Sequence, residues 1–211
     1  MRLTSNDFSD RQPIPEACAF GRPGDAGEPI ALAANRNPQL AWSDVPQGTR
    51  SFVLACIDPD APAFGDGVNT PGHRVEASRE RADFVHWLMA DIPADCRAIA
   101  HGRCGDGVVA RGRRNPPGPA GAVQGRNDYT QWFRDDPGMA GDYLGYDGPC
   151  PPWNDERVHR YEFHLYALDV ETLGLAEGFG RDALRVAMEG RVLAEAVLTG
   201  TYTLNPELRT A

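Results

Sequence analysis

Glycine and proline are spread along the whole length of this chain. The 211 residues include 23 glycines and 18 prolines. Glycine weakens the interior of helices and strands, and proline removes a backbone donor, so both residue types interrupt regular structure. At this density they divide a chain into short elements and leave little room for long helices, which favours a β-rich fold.

Three apolar segments predict the principal strands. Residues 51–57 are short, apolar and followed by Asp-Pro, which is typical of a strand buried on both faces. Residues 83–92 form a second segment of this kind. In the third, residues 158–170, alternate side chains from His159 to Ala167 form a mostly apolar face that we expect to point inward. Two weaker strand candidates are residues 39–42 and 200–204.

Helical periodicity is confined to the C-terminal part of the chain. Residues 181–189 and 191–198 carry apolar side chains at near-helical spacing around Gly190, which predicts two short helices or one broken helix. Strands and helices do not alternate, which argues against a parallel nucleotide-binding sheet. The predicted fold class is therefore mainly β, an antiparallel β-sandwich with short C-terminal helices. The length suits a single domain over residues 1–211, with a loop-rich stretch at about 101–125.

The charged residues exclude several function classes. All 21 cationic residues are arginine, so Schiff-base lysine, P-loop and kinase chemistry are excluded. Thirty acidic residues give a net charge of -9, which argues against nucleic acid as the partner. The chain has no secretory signal pattern and no apolar run near the ~18 residues of a membrane span, so we expect no integral membrane segment and a cytoplasmic location.

The cysteines and short motifs predict no cofactor and no metal. Five cysteines contain no Cys-x-x-Cys pair, so reduced thiols are expected, with Cys56 and Cys150 as buried small hydrophobes. The Gly-x-Ser-x-Gly and His-Glu-x-x-His motifs are absent, as is a glycine-rich phosphate loop that opens a helix.

Three segments carry side chains suited to binding or acid–base chemistry. Asp58 and Asp60 flank a proline at the end of the first predicted strand, and His86 lies among apolar residues of the second. The third segment is Tyr-Asp-Gly-Pro-Cys-Pro-Pro at 146–152, followed by His159. Each also has an ordinary structural interpretation: an Asp-Pro turn, a buried histidine that donates to a backbone carbonyl, and a proline-rich connection.

Taken in order, Asp-Pro-Asp-Ala-Pro, His-Trp, Gly-Pro-x-Pro-Pro and His-Arg-Tyr resemble the phosphatidylethanolamine-binding protein family, and most closely its bacterial Raf-kinase-inhibitor-like branch. Ile14-Pro15, Asn127-Asp128 and the motifs at 37–42 and 161–168 add to the resemblance, which spans nearly the whole chain. It implies a β-sandwich with a small anion pocket at one end. The matching ligand-binding residues are Asp58, Asp60, His86, Gly148, Pro149, Pro151, Pro152, His159 and Tyr161.

One segment departs from the pattern of that family. Residues 129–144 separate Asn127-Asp128 from Gly145-Tyr146, which usually lie close together, and they include Trp132 and Phe133. Because the segment adjoins the proline-rich stretch and is aromatic, one hypothesis is a flap over the pocket mouth. A plain surface excursion is the alternative.

The resemblance favours a non-enzymatic protein that binds a small phosphorylated or carboxylated ligand, such as a phosphoethanolamine head group, with modulation of a partner protein as an added role. A His/Asp/Tyr cluster also suits a small-molecule acid–base enzyme, an isomerase or hydrolase. A third alternative is a kinase or protease inhibitor that acts through its exposed surface. The resemblance also implies a homodimer.

Overall fold

The computed structural model describes residues 1–25 and 27–209, and within them short strands dominate. The strands are β1 (Arg2–Thr4), β2 (Gln12–Pro13), β3 (Gly21–Pro23), β4 (Ile30–Leu32), β5 (Leu40–Ser43), β6 (Ser51–Pro62), β7 (Arg81–Pro93), β8 (Ala98–Ile99), β9 (Val123–Gln124), β10 (His159–Leu168) and β11 (Val192–Tyr202). The helices are a 3-10 turn (Glu16–Cys18), α1 (Tyr129–Trp132) and α2 (Arg181–Met188). The predicted mainly β fold class is confirmed.

The strands form two main sheets. Six strands pair in the order β2-β11-β10-β6-β7-β9, three in the order β1-β5-β8, and β3 pairs with β4. Pairing is antiparallel in the named ladders except between β2 and β11, which run parallel over a short stretch. The larger sheet is therefore mixed, which corrects the expectation of a purely antiparallel sandwich.

The main hydrophobic core lies between the two sheets. Leu54, Trp87 and Leu165 of the larger sheet pack in one buried cluster with Leu40 and Trp42 of the smaller sheet. A second cluster covers the opposite face of the larger sheet, where Val53 and Leu88 pack with Leu184 of α2. Strand β6 is thus buried on both faces, which confirms the prediction from its continuous apolar run.

Strand β10 has the predicted alternation of buried and exposed residues. Tyr161, Phe163, Leu165 and Ala167 are fully buried, whereas Arg160 between them and His159 is exposed. The strand lies between β6 and β11 in the sheet. The inward side chains of β10 therefore pack against the smaller sheet. His159 is the first residue of the strand and lies at one end of this buried row.

The prediction of a second C-terminal helix at 191–198 is wrong. Of the helix predicted at 181–189, Arg181–Met188 form α2, but Gly190 then takes a φ of 71° and the chain turns into strand β11. Strand β11 pairs with β10 from Val192 to Tyr202. The apolar spacing around Gly190 resembles a helix, but pairing with the buried strand β10 decides the outcome, since local propensity is weaker than tertiary packing.

Most of the stretch at 101–125 is irregular, as predicted, but it is not wholly a surface loop. Cys104 and Gln124 are buried, and Val123–Gln124 form strand β9 at the edge of the larger sheet. The cysteine predictions hold in part, since Cys56 is buried and Cys150 is half-buried. In the part of the chain that the structure describes, the helices are too short or too polar to cross a bilayer.

Removing the side chain of Leu165 should destabilise the fold more than any surface change of similar size. Leu165→Ala leaves a cavity in the centre of strand β10, and we expect a loss of about 2–5 kcal/mol in the free energy of unfolding. Val197→Ala on the neighbouring strand is the control, because Val197 is 45% exposed and its loss should be within about 0.5 kcal/mol. Urea denaturation measures both; equal losses would contradict this core.

Candidate functional site

A cavity of about 290 Å³ opens at one end of the larger sheet. Strand β6 ends there, while β7 and β10 begin there, so antiparallel pairing brings the three strand ends together. The lining is mostly apolar, with a small polar floor. The lining residues are Phe20, Leu32, Asp58, Ala61, Pro62, Val68, Asn69, Phe84, His86, Tyr129, Trp132, Phe133, Cys150, Pro151, Pro152, His159 and Tyr161.

His159 is a buried cation held between two carboxylates. Its Nδ1 lies 2.7 Å from Oδ2 of Asp58, and its Nε2 lies 3.1 Å from Oδ2 of Asp155. Carboxylates accept, so both ring nitrogens donate and the ring carries two protons. Burial lowers the pKa of His159, but the charge of Asp58 and the hydrogen bonds to Asp155 and Asp58 outweigh it and raise the pKa to about 9. The ring is therefore charged at neutral pH.

Asp155 connects this imidazolium to a second buried cation. Its carboxylate receives two hydrogen bonds from the guanidinium of Arg81, at 2.5 and 3.0 Å, in addition to the bond from His159. Burial raises the pKa of Asp155, but the hydrogen bonds from His159 and Arg81 more than compensate and hold it below its usual value. Asp58, His159, Asp155 and Arg81 are hereafter the buried charge chain.

His86 has a different protonation state. Its Nδ1 lies 2.7 Å from the backbone carbonyl of Asp147, and a carbonyl only accepts, so the hydrogen is on Nδ1. Burial lowers the pKa of His86. The ring is therefore neutral, and its Nε2 is a free acceptor until a ligand or a proton reaches it. His86 therefore is a buried histidine that donates to a backbone carbonyl, as one interpretation of the sequence holds. In addition, its ring lines the cavity.

Asp147 fixes the backbone that orients His86. Its carboxylate accepts hydrogen bonds from Asn35 at 2.7 Å and from Asn127 at 2.9 Å, and its own N–H donates to the carbonyl of His86. Burial raises the pKa of Asp147 to about 6 in spite of the two amide donors. Asn127 is the first residue of the Asn127-Asp128 motif, and its hydrogen bond to Asp147 gives that motif a structural role.

Tyr161 carries a hydroxyl with no hydrogen-bond partner among the residues that the structure describes. The residue is fully buried, lines the cavity and packs its ring edge-on to His86, with 5.1 Å between ring centroids. Burial, followed by the charge of Asp58, raises the pKa of Tyr161 well above its usual value, so the hydroxyl keeps its proton. Burying a hydroxyl without a hydrogen-bond partner costs free energy, so this group is a candidate for a hydrogen bond to a ligand.

Asp58 and Asp60, which the family resemblance both assigns to the ligand site, have different partners in the structure. The predicted Asp-Pro turn is wrong, because β6 continues through both residues to Pro62, with a register irregularity after Asp58. Asp58 contacts His159 on the inward face of β10, whereas Asp60 binds Arg160 and Arg157. Those hydrogen bonds overcome the effect of burial and lower the pKa of Asp60 to about 2. Asp60 is therefore outside the cavity lining.

The proline-rich segment divides between wall and support. Pro151 and Pro152 line the cavity, whereas Gly148 and Pro149 lie behind it in the described structure. Gly148 has no room for a side chain, because a Cβ there would clash with the carbonyl oxygen of Cys18. The glycine allows two backbone segments to pack tightly.

Aromatic side chains form the opposite wall, and the segment at 129–144 supplies three of them. Trp132 and Phe133 line the cavity together with His86, which the flap hypothesis requires, and the flap itself stays a prediction. Tyr129 stacks on Phe20 with 4.5 Å between centroids and donates its hydroxyl to the carbonyl of Gly148. Helix α1 is therefore tied to the proline-rich segment, and Trp132 remains half exposed at the rim.

Sequence reasoning missed several of these residues. Asp155 and Arg81 lie in loop-like or strand-end positions that carry no motif, although Asp155 precedes His159 by only four residues. Phe20 and Phe84 come from distant segments and would be assigned to the core. Tyr129 directly follows the Asn127-Asp128 motif. This proximity to a family motif is the sequence signal that places Tyr129 at the site.

Comparison with known proteins points to one family for nearly the whole chain. The family model described as phosphatidylethanolamine-binding protein matches residues 4–203. The UPF0098 protein YbhB of Escherichia coli K12 is 33% identical over 203 residues, which cover 96% of this chain and 100% of that protein. A UPF0098 protein of Methanothermobacter thermautotrophicus is 35% identical over 96% of this chain and 98% of its own.

This chain belongs to the phosphatidylethanolamine-binding protein family. Among solved structures, YbcL of E. coli, described as a member of the mammalian PEBP family, superposes with a TM-score of 0.67 at 28% identity, covering 96% of this chain and 97% of that one. The putative PEBP homolog CT736 of Chlamydia trachomatis superposes with a TM-score of 0.64 at 30% identity, with 95% of each chain covered.

The floor of this PEBP-family cavity is nearly neutral in charge. In the buried charge chain two carboxylates and two cations cancel, and no arginine lines the cavity among the described residues. An anion would therefore gain little from net charge and would depend on directed donors. Two buried groups of the lining, the hydroxyl of Tyr161 and Nε2 of His86, have no hydrogen-bond partner among the described residues.

Asp155→Asn should strongly destabilise the protein. The substitution keeps the size of the side chain but leaves buried Arg81 without its carboxylate, and we expect a loss of about 3–5 kcal/mol in the free energy of unfolding. Glu171→Gln is the matched control, because the pair of Glu171 with Arg50 is exposed and should contribute little. Chemical denaturation at pH 7 measures both, and an Asp155→Asn variant as stable as the control would refute the buried charge chain.

Proposed function

We propose that the cavity binds a small phosphorylated ligand, such as a phosphoethanolamine head group, without chemical conversion. The observation that carries the proposal is the unpartnered hydroxyl of Tyr161, buried beside the ring of His86 in the cavity. Family membership supports a binding protein of this type. A phosphate oxygen would accept the hydrogen of the Tyr161 hydroxyl, and it would also accept from Nε2 of His86 once that nitrogen is protonated.

The polar floor suits the two signs of a phosphoethanolamine group. The hydroxyl of Tyr161 would donate to a phosphate oxygen, and a proton on Nε2 of His86 would provide a second donor. His159 would contribute its charge from behind, since both of its nitrogens are already bound to carboxylates. Asp58, which lines the cavity, would face an ammonium group.

The apolar wall would accommodate the rest of the ligand. Phe133 and Tyr129 belong to a buried aromatic group, whereas Trp132 at the rim is 50% exposed and free to cover a bound molecule. Burying its ring on a ligand would remove apolar surface from water. This role gives the segment at 129–144 a function as a flap on the binding cavity.

Several expectations stay predictions: the single domain and cytoplasmic location predicted from the sequence, and the homodimer and modulation of a partner protein implied by the family resemblance. An acid–base enzyme would have to use His86, because His159 has no free nitrogen. Turnover that depends on His86 is therefore the outcome that would replace binding with catalysis.

The first test removes only the hydroxyl of Tyr161. Tyr161→Phe should weaken binding of phosphoethanolamine by about 10- to 100-fold, the value of one hydrogen bond to a charged group. It should leave the free energy of unfolding unchanged or slightly higher, because the hydroxyl has no partner in the free protein. Titration calorimetry and urea denaturation give the two quantities.

Tyr166→Phe provides the control for that variant. Tyr166 is on the same strand, β10, but contributes to the opposite face, so its hydroxyl is remote from the cavity. Equal affinity of Tyr161→Phe and wild-type protein would rule out this donor. Assaying His86→Ala against phosphomonoesters and esters tests the enzymatic alternative, since measurable wild-type turnover lost in the variant would overturn a purely binding function.

Phosphate binding should take up a proton on His86. Burial lowers the pKa of the free ring, so it is neutral at pH 7, and an anion beside Nε2 raises that pKa and draws a proton from solvent. Affinity should therefore increase as the pH falls, until the free ring is itself protonated. Calorimetry in two buffers of different ionisation enthalpy should give up to about one proton per ligand.

The matched variant separates this proton from those of the ligand, whose second pKa is about 6. In His86→Gln the uptake should fall to the contribution of phosphate alone. The same proton count in wild-type and variant protein would contradict a role for His86 as a donor to the anion.

A further inference from the structure

Three side chains with metal-binding atoms converge outside the cavity. Asp7 lies in the loop between β1 and β2, Cys18 ends the 3-10 turn, and His101 follows β8. One carboxylate oxygen, the thiol sulfur and a ring nitrogen all lie within 4.8 Å of one another. Their spacing in the sequence matches no common zinc motif, so only the fold brings them together.

We propose that Asp7, Cys18 and His101 form a site for a divalent transition-metal ion, zinc in particular, with the remaining position open to water.

The observed distances are close to those of a tetrahedral site. Nδ1 of His101 lies 3.0 Å from Oδ2 of Asp7 and 4.0 Å from Sγ of Cys18. Zinc bonds of about 2.0–2.3 Å at tetrahedral angles separate nitrogen from oxygen by about 3.3 Å and nitrogen from sulfur by about 3.6 Å. Both distances from the nitrogen are therefore within about half an ångström of the tetrahedral values, and the sulfur and the carboxylate oxygen lie within 4.8 Å of each other.

The surrounding structure holds each ligand in place. Oδ2 of Asp7 also accepts the backbone N–H of Gln39 at 2.6 Å, which orients the carboxylate as outer-shell partners of metal ligands do. Asn37 holds the backbone on both sides of His101, through its side-chain amide and its carbonyl oxygen. The N–H of Cys18 is bonded within its own turn.

The set of donors selects the class of ion. Thiolate, imidazole and one carboxylate suit zinc or cobalt, whereas calcium and magnesium prefer oxygen alone. Cys18 is buried, but the side chains of His101 and Asp7 are partly exposed and leave a path from solvent. The ion would take the place of the hydrogen between Nδ1 and Asp7, the neutral ring would then carry its single proton on Nε2, and the thiol proton would leave to water.

Such a site would lie behind the wall of the cavity. The carbonyl of Cys18 accepts the hydroxyl of Tyr146 at 2.6 Å and packs against Gly148. An ion bound to Cys18 would therefore be linked, through one residue, to the proline-rich segment. Occupancy should stabilise that segment without touching the ligand, so this proposal does not depend on the proposed function.

Cobalt(II) titration of the reduced full chain tests the site. Wild-type protein should bind one ion and show a thiolate-to-cobalt charge-transfer band with the visible bands of four-coordinate cobalt. His101→Ala changes an exposed side chain and should preserve the fold while weakening cobalt binding by at least about tenfold. Cys18→Ser should abolish the charge-transfer band.

Two variants elsewhere serve as matched controls. Cys96→Ser removes a more accessible thiol, and His73→Ala removes an exposed histidine, and both should bind cobalt as the wild type does. The proposal is overturned if wild-type protein gives no charge-transfer band, if the band survives in His101→Ala, or if it disappears in Cys96→Ser. The His101→Ala arm decides the matter even if Cys18→Ser does not fold.

Discussion

The buried charge chain is the interaction on which the site depends. Asp58 is on β6, Arg81 opens β7, His159 opens β10, and Asp155 precedes it, so four charges connect three strand ends. Buried charges are tolerated only when they are paired and hydrogen-bonded, and here each carboxylate has an opposite charge on at least one side. The result is a rigid polar floor in an otherwise apolar end of the sandwich, with an imidazolium whose protonation state is fixed by its neighbours.

Two histidines of one cavity thus have different roles, because their partners differ. His159 donates from both nitrogens to carboxylates, whereas His86 donates once to a backbone carbonyl and keeps a free nitrogen. Burial acts on both rings in the same direction, so nearby charge decides between them. A fixed cation behind a neutral, adaptable ring lets the cavity respond to an anion through a single proton. The unpartnered hydroxyl of Tyr161 completes a floor with spare donors, while the aromatic wall provides apolar contact.

The sequence predicts the centre of this fold better than its edges. Strands β6, β7 and β10 are apolar or strictly alternating because they are buried, and His159 and Tyr161 follow from that alternation. Residues 192–198 of strand β11 have helix-like apolar spacing, yet they form a strand because they pair with β10. Asp58 and Asp60 could not be separated in advance, since the irregularity that turns them to different partners leaves no mark in the sequence. Asp155 and the set of Asp7, Cys18 and His101 depend on contacts between distant segments, which no local pattern encodes.

Nitrogen-15 spectra of the imidazole rings, assigned with single histidine variants, test the central claim directly because they report the proton on each nitrogen. At pH 7 the account predicts a doubly protonated ring for His159, with or without phosphate, in line with a pKa of about 9. It predicts a neutral ring for His86 with hydrogen on Nδ1, which becomes protonated on Nε2 when inorganic phosphate is added. A neutral His159, or a His86 ring whose spectrum is unchanged at saturating phosphate, would contradict it.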